Sequence, residues 1–296
     1  MELDSISVSG GNVVGGLVGK TYMSNITNVS VSSVVFGKDY VGGLIGYNYW
    51  SRTTNSYSNT DISGFNYVGG LVGGNRYSTV SNSYSISNVS GNDRVGGLLG
   101  YGQGNQILDS YSVSNVSGNN SVGGFIGKTY GGNIINSYSN SEVFGVNLVG
   151  GFIGDNDFFS DVTNSFSLSN VSGTTSVGGF IGYNLDSDIT NSFWLNNSNN
   201  PTVGLGFDNN AQVALSELNI SYFYSNLNSP MSVWDNNIWN FSSSNSPFHF
   251  WDSTKIVAAP PVPVVPNSTG SGLIGLPSFG FWSVFISIGL IFGFLI

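Results

Sequence analysis

The chain of 296 residues contains no cysteine, and only 8% of its residues are charged. Without cysteine, neither a disulfide framework nor a thiolate metal site is available. The chain has seven Lys and Arg, which are not clustered, and its formal charge is −9. A surface of this kind has no basic patch for nucleic acid. We therefore expect no nucleic-acid partner, and we expect stability to come from packing and backbone hydrogen bonds.

Histidine is also scarce, since His249 is the only one and no His-Glu-x-x-His sequence is present. Zinc-peptidase and Ser-His-Asp chemistry are therefore not expected. Met1 is followed by no basic and apolar signal peptide, and residues 3–10 look like the middle of a later repeat. We interpret the N-terminus as incomplete, with a signal peptide and earlier repeats missing.

Glycine is abundant, with 42 residues, and much of it belongs to a repeated motif of Val-Gly-Gly, Leu or Phe, an aliphatic residue and Gly. The motif recurs every 27 residues, with one interval of 28, and begins at Val14, Val41, Val68, Val95, Val122, Val149 and Val177. A fixed period of this length indicates stacked coils. The motif lacks the Lys-Ser/Thr ending of a nucleotide-binding loop, so we expect its glycines to serve close backbone approach or positive φ. The extra residue falls within residues 155–161, and we predict that it bulges from a turn.

A second series of Asn or Asp, Ser, and Tyr or Phe lies about half a repeat later, at Asn55, Asn82, Asp109, Asn136, Asn164 and Asn191. The alternation around Asn82 predicts a strand with Asn and Tyr inside and Ser towards solvent. Stacking would then form an internal aromatic ladder beside a hydrogen-bonded Asn ladder, with about three strands per coil. The aromatic ladder would comprise Tyr57, Tyr84, Tyr111, Tyr138, Phe166 and Phe193.

These two motifs, as they stand at Val41–Gly46 and Asn55–Ser58, resemble the GLUG-motif repeats of bacterial and archaeal surface proteins, adhesin-like proteins among them. The resemblance covers about residues 4–196. It implies an all-β fold, a β-solenoid of about seven 27-residue coils, and a surface location. It implies no chemistry.

The rest of the chain divides into three segments. Residues 197–255 are predicted to cap the solenoid (1–196), with Trp234, Trp239 and Trp251 over its open end; an aromatic sugar-binding platform is the alternative. Residues 256–278 form a Pro-, Gly- and Ser-rich spacer. Residues 279–296 are uncharged and, as a helix, would span about 27 Å. We predict one transmembrane helix, similar to archaeal C-terminal anchors but without their basic ending; a buried or cleaved terminus is the alternative.

Five acidic residues are candidates for a weak calcium site: Asp155, Asp157, Asp161, Asp186 and Asp188. Solvated turn carboxylates are the simpler interpretation. Use of these carboxylates by a glycosidase or lyase is disfavoured because no Arg or Lys is expected in register with them.

Many Asn-X-Ser/Thr sequons are present, and Asn119 and Asn267 are the best candidates for glycosylation. The same strand alternation would point Asn88, Asn115 and Asn170 inward, unless a bend intervenes before Val89, Val116 and Val171.

We therefore expect a non-enzymatic cell-surface structural or adhesion protein without a cofactor. It would be anchored in the membrane by its C-terminus, with its repeats outside, and would bind glycans or other surface proteins. The alternative is a surface hydrolase or lyase that acts on polysaccharides, or a fragment of a larger surface enzyme.

Overall fold

The repeats fold into a continuous stack of coils, and each coil contributes parallel strands to four sheets. The computed structural model describes residues 1–196, 200–209, 215–217, 222, 224–242, 245–249 and 251–252. Strands in neighbouring coils pair in parallel at the 27-residue period, as in Val41 with Val68 and Val68 with Val95. The β-solenoid expected from the sequence is confirmed. Each coil has four or five strands rather than the three predicted, because tight corners divide the chain more often than the sequence alternation suggests.

We number the sheets in the order in which a coil crosses them after its motif valine. Sheet 1 has seven strands: Val14–Gly15, Asp39–Gly42, Asn66–Gly69, Asp93–Gly96, Asn120–Gly123, Asn147–Gly150 and Thr175–Gly178. Sheet 2 has eight: Val18–Tyr22, Ile45–Tyr49, Val72–Arg76, Leu99–Gln103, Ile126–Tyr130, Ile153–Asp157, Ile181–Leu185 and Leu205–Asp208. Sheet 3 has seven: Asn25–Thr27, Arg52–Thr54, Thr79–Ser81, Gln106–Leu108, Asn133–Ile135, Asp161–Thr163 and Ile189–Thr190.

Sheet 4 changes character along the stack. Its first strands are long, namely Glu2–Ser9, Ser30–Phe36 and Tyr57–Ser63. The next four coils each contribute two short strands, and the last two strands of the sheet, Phe193–Leu195 and Leu215–Glu217, have no second strand beside them among the described residues. One series is Tyr84–Ser85, Tyr111–Ser112, Tyr138–Ser139, Phe166–Ser167, Phe193–Leu195 and Leu215–Glu217, and the other is Asn88–Ser90, Asn115–Ser117, Glu142–Phe144 and Asn170–Ser172. A short 3₁₀ helix, Met231–Val233, and an antiparallel hairpin, Trp239–Ser242 with Asn245–His249, follow.

The motif glycines lie where neighbouring coils approach most closely. A Cβ on Gly97 would overlap the carbonyl oxygen of Gly124 in the next coil and the Oγ of Ser112. Positive φ among the glycines of the described chain is confined to Gly104 and Gly131, outside the motif. Of the two reasons expected for the motif glycines, close approach is therefore the one that applies.

On sheet 4, the serine side chains point into the solenoid and the tyrosine side chains point away from it. The predicted orientation is therefore wrong. Ser83, Ser85 and Ser87 are buried, whereas Tyr84 is half-buried on the outer face. The cause is the residue between sheets 3 and 4. Asn82 has a φ of 49°, in the left-handed region. This turn breaks the alternation, so that Val80 and Ser83 both point inward.

The Asn series therefore occupies corners. All its members have positive φ, which Asn and Asp tolerate better than most residues. Hydrogen bonds between their side chains do form, as from Asn136 Nδ2 to Asp109 Oδ1 at 3.0 Å, but they lie at the edge of the stack rather than inside it. The parity change also turns Asn88 and Asn115 to solvent and leaves Asn170 partly exposed. A bend therefore does intervene before the following valines, and the inward orientation expected in its absence does not occur.

A different polar ladder is buried. Asn48 Nδ2 donates to Asn75 Oδ1 at 2.8 Å, and Asn156 Nδ2 donates to Asn184 Oδ1 at 2.7 Å. Gly102 interrupts this column, and the buried side chain of Asn105 fills the gap and accepts from Thr129 Oγ1 at 3.1 Å. Paired amides of this kind avoid the cost of buried polar groups without partners.

The predicted aromatic ladder exists, but it lies on the outer face of sheet 4. Its rings stack 4.7 to 4.9 Å apart from Tyr57 to Phe193. A C-terminal segment covers most of it: Trp234 packs on Phe166 and Phe193, Trp239 on Tyr138 and Phe166, and Trp251 on Tyr84 and Tyr111.

The tryptophans of the predicted cap therefore pack along the side of the stack. At its C-terminal end, Leu205–Asp208 and Leu215–Glu217 continue sheets 2 and 4 by one partial coil. Met1–Ser253 form one compact unit. The spacer 256–278 and the transmembrane segment 279–296 lie outside the described residues, and the predicted domain boundaries stay predictions.

The extra residue of the sixth coil is located where the sequence predicted it. Asp157 pairs with Tyr130, whereas Asp161 pairs with Asn133, so the added residue lies between Asp157 and Asp161. Phe158 and Phe159 there both have positive φ, and Phe159 is 74% exposed. The predicted bulge is confirmed.

The close approach of the motif glycines gives a first test. Gly97→Ala should lower the free energy of unfolding by roughly 1–3 kcal/mol because the added methyl overlaps the neighbouring backbone. Gly11→Ala is the matched control, since nothing lies within 4 Å of its added Cβ, and should change stability by less than about 0.5 kcal/mol. Urea denaturation followed by circular dichroism measures both. Equal midpoints for the two variants would contradict this account of the motif.

Candidate functional site

The outer face of sheet 2 carries most of the side chains suited to binding. Alternation along each strand buries the polar ladder and leaves its neighbours outside. The column that starts at Lys20 continues in register through Tyr47, Gly74, Tyr101, Lys128, Asp155, Tyr183 and Phe207. Four of the seven Lys and Arg of the chain lie on this face or at its edge, namely Lys20, Arg76, Arg94 and Lys128. An acidic protein thus concentrates its positive charge on one face.

The edge of this face towards sheet 3 is lined by aromatic residues, which we call the aromatic corner and which are exposed except for the half-buried Tyr49: Tyr22, Tyr49, Trp50, Tyr77, Tyr130, Phe158 and Phe159. Tyr22 is 56% exposed and Trp50 is 52% exposed. The rings form two groups, separated by the coil that has Gly104 at this corner. In the first, Trp50 stacks on Tyr77 with centroids 4.9 Å apart and Tyr22 lies 5.7 Å from Tyr49; in the second, Tyr130 lies 5.1 Å from Phe158. The guanidinium of Arg76 lies over the Tyr77 ring at 5.1 Å. A row of exposed rings on a Ser- and Asn-rich surface indicates an interaction site.

At the opposite edge of sheet 2, a tyrosine cluster is packed more tightly. Tyr40 stacks on Tyr67 with centroids 4.4 Å apart, and the rings of Tyr40 and Tyr47 occupy the space that a side chain at Gly74 would fill. Arg94 lies 4.8 Å over the Tyr67 ring. Burial and the neighbouring Tyr67 raise the pKa of Tyr40 to about 12. The hydroxyl of Tyr40 therefore remains a neutral donor at neutral pH.

Near the middle of the same face, Lys128 bridges two carboxylates of the next coil, and we call these three residues the Lys128 cluster. Its Nζ lies 2.8 Å from Asp155 Oδ2 and 3.2 Å from Asp157 Oδ2. Burial raises the pKa of Asp155 despite its bond to Lys128. Burial opposes the charge of Lys128 as well, but the hydrogen bonds and charges of Asp155 and Asp157 raise the pKa of its amine.

The Lys128 cluster corrects one expectation. The sequence interpretation placed no Lys or Arg in register with the acidic residues, and Lys128 in fact pairs directly with Asp155. That interpretation compared only residues near the sheet 3 strands. Alignment of the columns at the 27-residue period would have found Lys128, and it would also have found the pairs Tyr22 with Tyr49 and Trp50 with Tyr77.

The five acidic candidates for calcium are not brought together at one point. Asp155 and Asp157 contact Lys128, Asp186 exchanges two hydrogen bonds with Asn209, and Asp161 Oδ1 accepts from the backbone of Asp188. Within the described ranges, no group of three or more His, Asp or Glu side chains is suitably placed to hold a metal ion. Calcium binding stays a prediction.

His249 is part of the packing over the aromatic ladder. It is buried, stacks on Trp239 at 4.5 Å and on Trp251 at 5.5 Å, and its Nε2 lies 2.6 Å from the Asn136 carbonyl oxygen. Burial lowers the pKa of His249 to about 4. Nearby, Tyr111 Oη donates to Asp252 Oδ2 at 2.6 Å. The predicted structural role of this region fits the geometry, and a sugar platform does not, because Trp234 and Trp239 are buried.

The glycosylation candidate Asn119 is exposed, and its Nδ2 donates to Asn92 Oδ1 at 2.7 Å. Asn267 lies outside the described residues. Use of either sequon stays a prediction.

Comparison with known families links these repeats to a recurrent motif. The family model of the GLUG motif matches residues 118–143 and 173–193, which belong to the coils around the Lys128 cluster and at the end of the stack. The chain carries GLUG repeats. No curated protein matches the sequence.

Two solved structures are similar to the GLUG solenoid. A candidate immunoglobulin A1 protease from Bacteroides ovatus aligns over 81% of this chain and 88% of its own, with a TM-score of 0.56 and 17% identity. At that identity the likeness shows the fold alone. The plasmid-mediated fluoroquinolone resistance protein QnrB1 aligns over 71% of this chain and 92% of its own, at 11% identity and a TM-score of 0.21.

Within the part of the chain that the structure describes, no helix has the length and apolar character needed to cross a bilayer.

The burial of His249 predicts a loss of stability in acid. Between about pH 6.5 and pH 4 the unfolded chain binds a proton that the folded chain does not, so the free energy of unfolding falls as pH falls. The full difference is about 3 kcal/mol. Near-UV circular dichroism of the tryptophans during urea unfolding at pH 7, 5.5 and 4 measures it.

His249→Gln is the control for this titration, since it keeps a donor for the Asn136 carbonyl but has no proton to gain. The variant should lose less stability in this pH window than the wild type. Identical pH profiles for the two proteins would show that His249 does not carry the effect.

Proposed function

We propose that this GLUG-repeat chain is a non-enzymatic cell-surface structural or adhesion protein that binds glycans along its aromatic corner. The observation that carries the proposal is the set of exposed rings between Tyr22 and Phe159, which recurs in five of the six coils of that range at one corner of the solenoid. Rigid stacked coils keep such a row in fixed register, which suits an extended, repetitive ligand.

The chemistry of the corner favours sugars over a purely apolar partner. Pyranose rings present both C–H faces and hydroxyl groups, and tyrosine and tryptophan offer apolar rings together with polar tips. Arg76 adds a cation to the corner, where its guanidinium lies 5.1 Å over the Tyr77 ring. If the aromatic corner instead bound another surface protein, that interaction would replace the glycan proposal.

Absence of catalysis is part of the proposal. The single histidine is enclosed by Trp239, Trp251 and the Asn136 carbonyl, which leaves it no route to a substrate. The Lys128 cluster favours one second candidate, a hydrolase or lyase that acts on polysaccharides, because two carboxylates and a cation share an outer face with tyrosines.

The glycan proposal is tested by removing two rings. The double variant Trp50→Ala and Tyr77→Ala should bind its best glycan on an array at least about tenfold more weakly, because stacked aromatic anchors dominate such interfaces. Phe65→Ala is the matched control, since Phe65 is 52% exposed but lies between sheets 4 and 1. Glycan binding that is equal in both variants, or absent in the wild type, contradicts the proposal.

The same glycan panel tests catalysis. The wild-type chain should release no product after prolonged incubation. Turnover that is abolished by Asp155→Asn, Asp161→Asn or Asp188→Asn would establish the hydrolase or lyase candidate in place of the non-enzymatic one.

We also propose that residues 279–296 anchor the chain with its repeats outside the cell. Full-length protein should sediment with membranes and resist extraction by high salt, because about 18 uncharged, mostly apolar residues match a bilayer core. A chain that ends at residue 278 should be released from the membrane fraction. Surface labelling of intact cells measures the side on which the repeats lie. Sedimentation of both chains alike would contradict the anchor.

A further inference from the structure

The Lys128 cluster joins two successive coils at a buried point. Lys128 belongs to the coil that begins at Val122, and Asp155 and Asp157 belong to the coil that begins at Val149. The exposed fraction of the side chain is 20% for Lys128, 7% for Asp155 and 12% for Asp157. Two carboxylates thus share one amine where little water reaches them.

Apart from Lys128, few groups around the two carboxylates compensate for the water that their oxygens lose on burial. The Oδ1 atoms of Asp155 and Asp157 are both buried, and neither has a hydrogen-bond partner within the described residues. The same outer column continues with Tyr101 before Lys128 and Tyr183 after Asp155. Buried charges lose hydration that a single ion pair does not fully replace. Burial raises the pKa of Asp155, which favours its neutral form. Burial opposes the charge of Lys128 as well, but the hydrogen bonds and charges of Asp155 and Asp157 raise the pKa of its amine, so the amine needs a proton acceptor in contact with it before it can react.

We propose that Lys128 and Asp155 condense to an intramolecular amide, with Asp157 transferring the proton. The amine of Lys128 first gives a proton to Asp157, and its lone pair attacks Cγ of Asp155. Asp157 then protonates a departing oxygen of that carboxyl group, which leaves as water after taking a second proton from the same nitrogen. An ammonium and a carboxylate are converted into one neutral amide and one water, and Asp157 ends in its starting state.

The geometry brings the three groups of this reaction into contact. The Lys128 nitrogen lies 2.8 Å from Asp155 Oδ2, so the carboxyl carbon bonded to that oxygen is the electrophile next to the amine, and a shift of the nitrogen from Oδ2 towards Cγ is the movement that the reaction requires. Asp157 follows Asp155 by two residues on the same strand, so both point to the same face, and its Oδ2 lies 3.2 Å from the amine. This distance is within reach for proton transfer. The pairing is enforced by the backbone, since Lys128 and Asp155 lie opposite each other in sheet 2.

The amide would close a loop of one complete coil. A cross-link restricts the unfolded chain, as a disulfide does, and it would supply a covalent tie to a protein without cysteine. It would also hold the coil that contains the Phe158 and Phe159 bulge against its neighbour. Coils on the two sides of the link could then not separate at this point when the stack is pulled.

Intact-mass spectrometry of the full-length chain, produced in bacteria and purified in detergent, tests the proposal. The wild type should weigh less than its sequence by the mass of one water. Chymotryptic digestion and fragmentation should yield a branched peptide that joins Lys128 to Asp155. Lys128→Arg keeps the cation but cannot form this amide, and Asp157→Asn removes the proton carrier, so both variants should have the full sequence mass. Lys20→Arg is the matched control, since Lys20 pairs with Tyr47 in the same column, and it should keep the water loss.

Three results would overturn the inference. A wild type of full sequence mass with no branched peptide would show that the contact is an ion pair. Water loss that persists in Lys128→Arg would assign it to a cyclised Asp elsewhere. Amide formation in Asp157→Asn would remove Asp157 from the reaction. The wild-type spectrum decides whether the amide exists even where a variant fails to fold, and none of these results bears on glycan binding.

Discussion

The contact between motif glycines of successive coils constrains everything else in this molecule. Because an added Cβ at these positions would overlap the next backbone, each coil must repeat the path of its neighbour. The 27-residue period follows, and with it every column of side chains. Even the extra residue beside Phe159 lies in a corner between two strands. The paired strands before and after it therefore stay in register.

The period was readable from the sequence, but the orientation of the side chains was not. Motif spacing predicted the solenoid, its coils, the aromatic ladder and the bulge, because parallel stacking translates sequence period directly into columns. The inside and outside of sheet 4 were assigned wrongly because alternation was extended through Asn82. A residue in the left-handed conformation at a corner reverses the inward and outward alternation of the side chains that follow it. An Asn that recurs in a strand-like sequence therefore indicates such a corner rather than a buried amide.

The outward aromatic ladder explains why the chain needs the segment after its coils. A column of stacked rings on an outer face would remain an apolar stripe, and Trp234, Trp239, His249 and Trp251 cover it. Sequence analysis identified these aromatic residues as a cap because a solenoid end needs protection. It could not place them along the side, since that requires knowing that the ladder faces outward. The burial of His249 follows from the same packing. The acid sensitivity predicted for this region therefore originates in the covering of the ladder rather than in a catalytic role.

The two faces of the solenoid thus differ in whether their aromatic rows are covered. The ladder on sheet 4 has its own covering segment, whereas the aromatic corner beside sheet 2 keeps Trp50 and Tyr22 open to solvent. Stability alone does not account for this difference, because exposed rings at left-handed corners such as Trp50 carry backbone strain without gaining burial. The corresponding left-handed position in sheet 1 is occupied by Ser121 and Ser176 but also by Tyr40, Tyr67 and Leu148, so the stack accepts side chains of very different size at such a corner. The proposed glycan site therefore rests on the exposure of the rings beside sheet 2, and not on a rule that stacking imposes on corner residues.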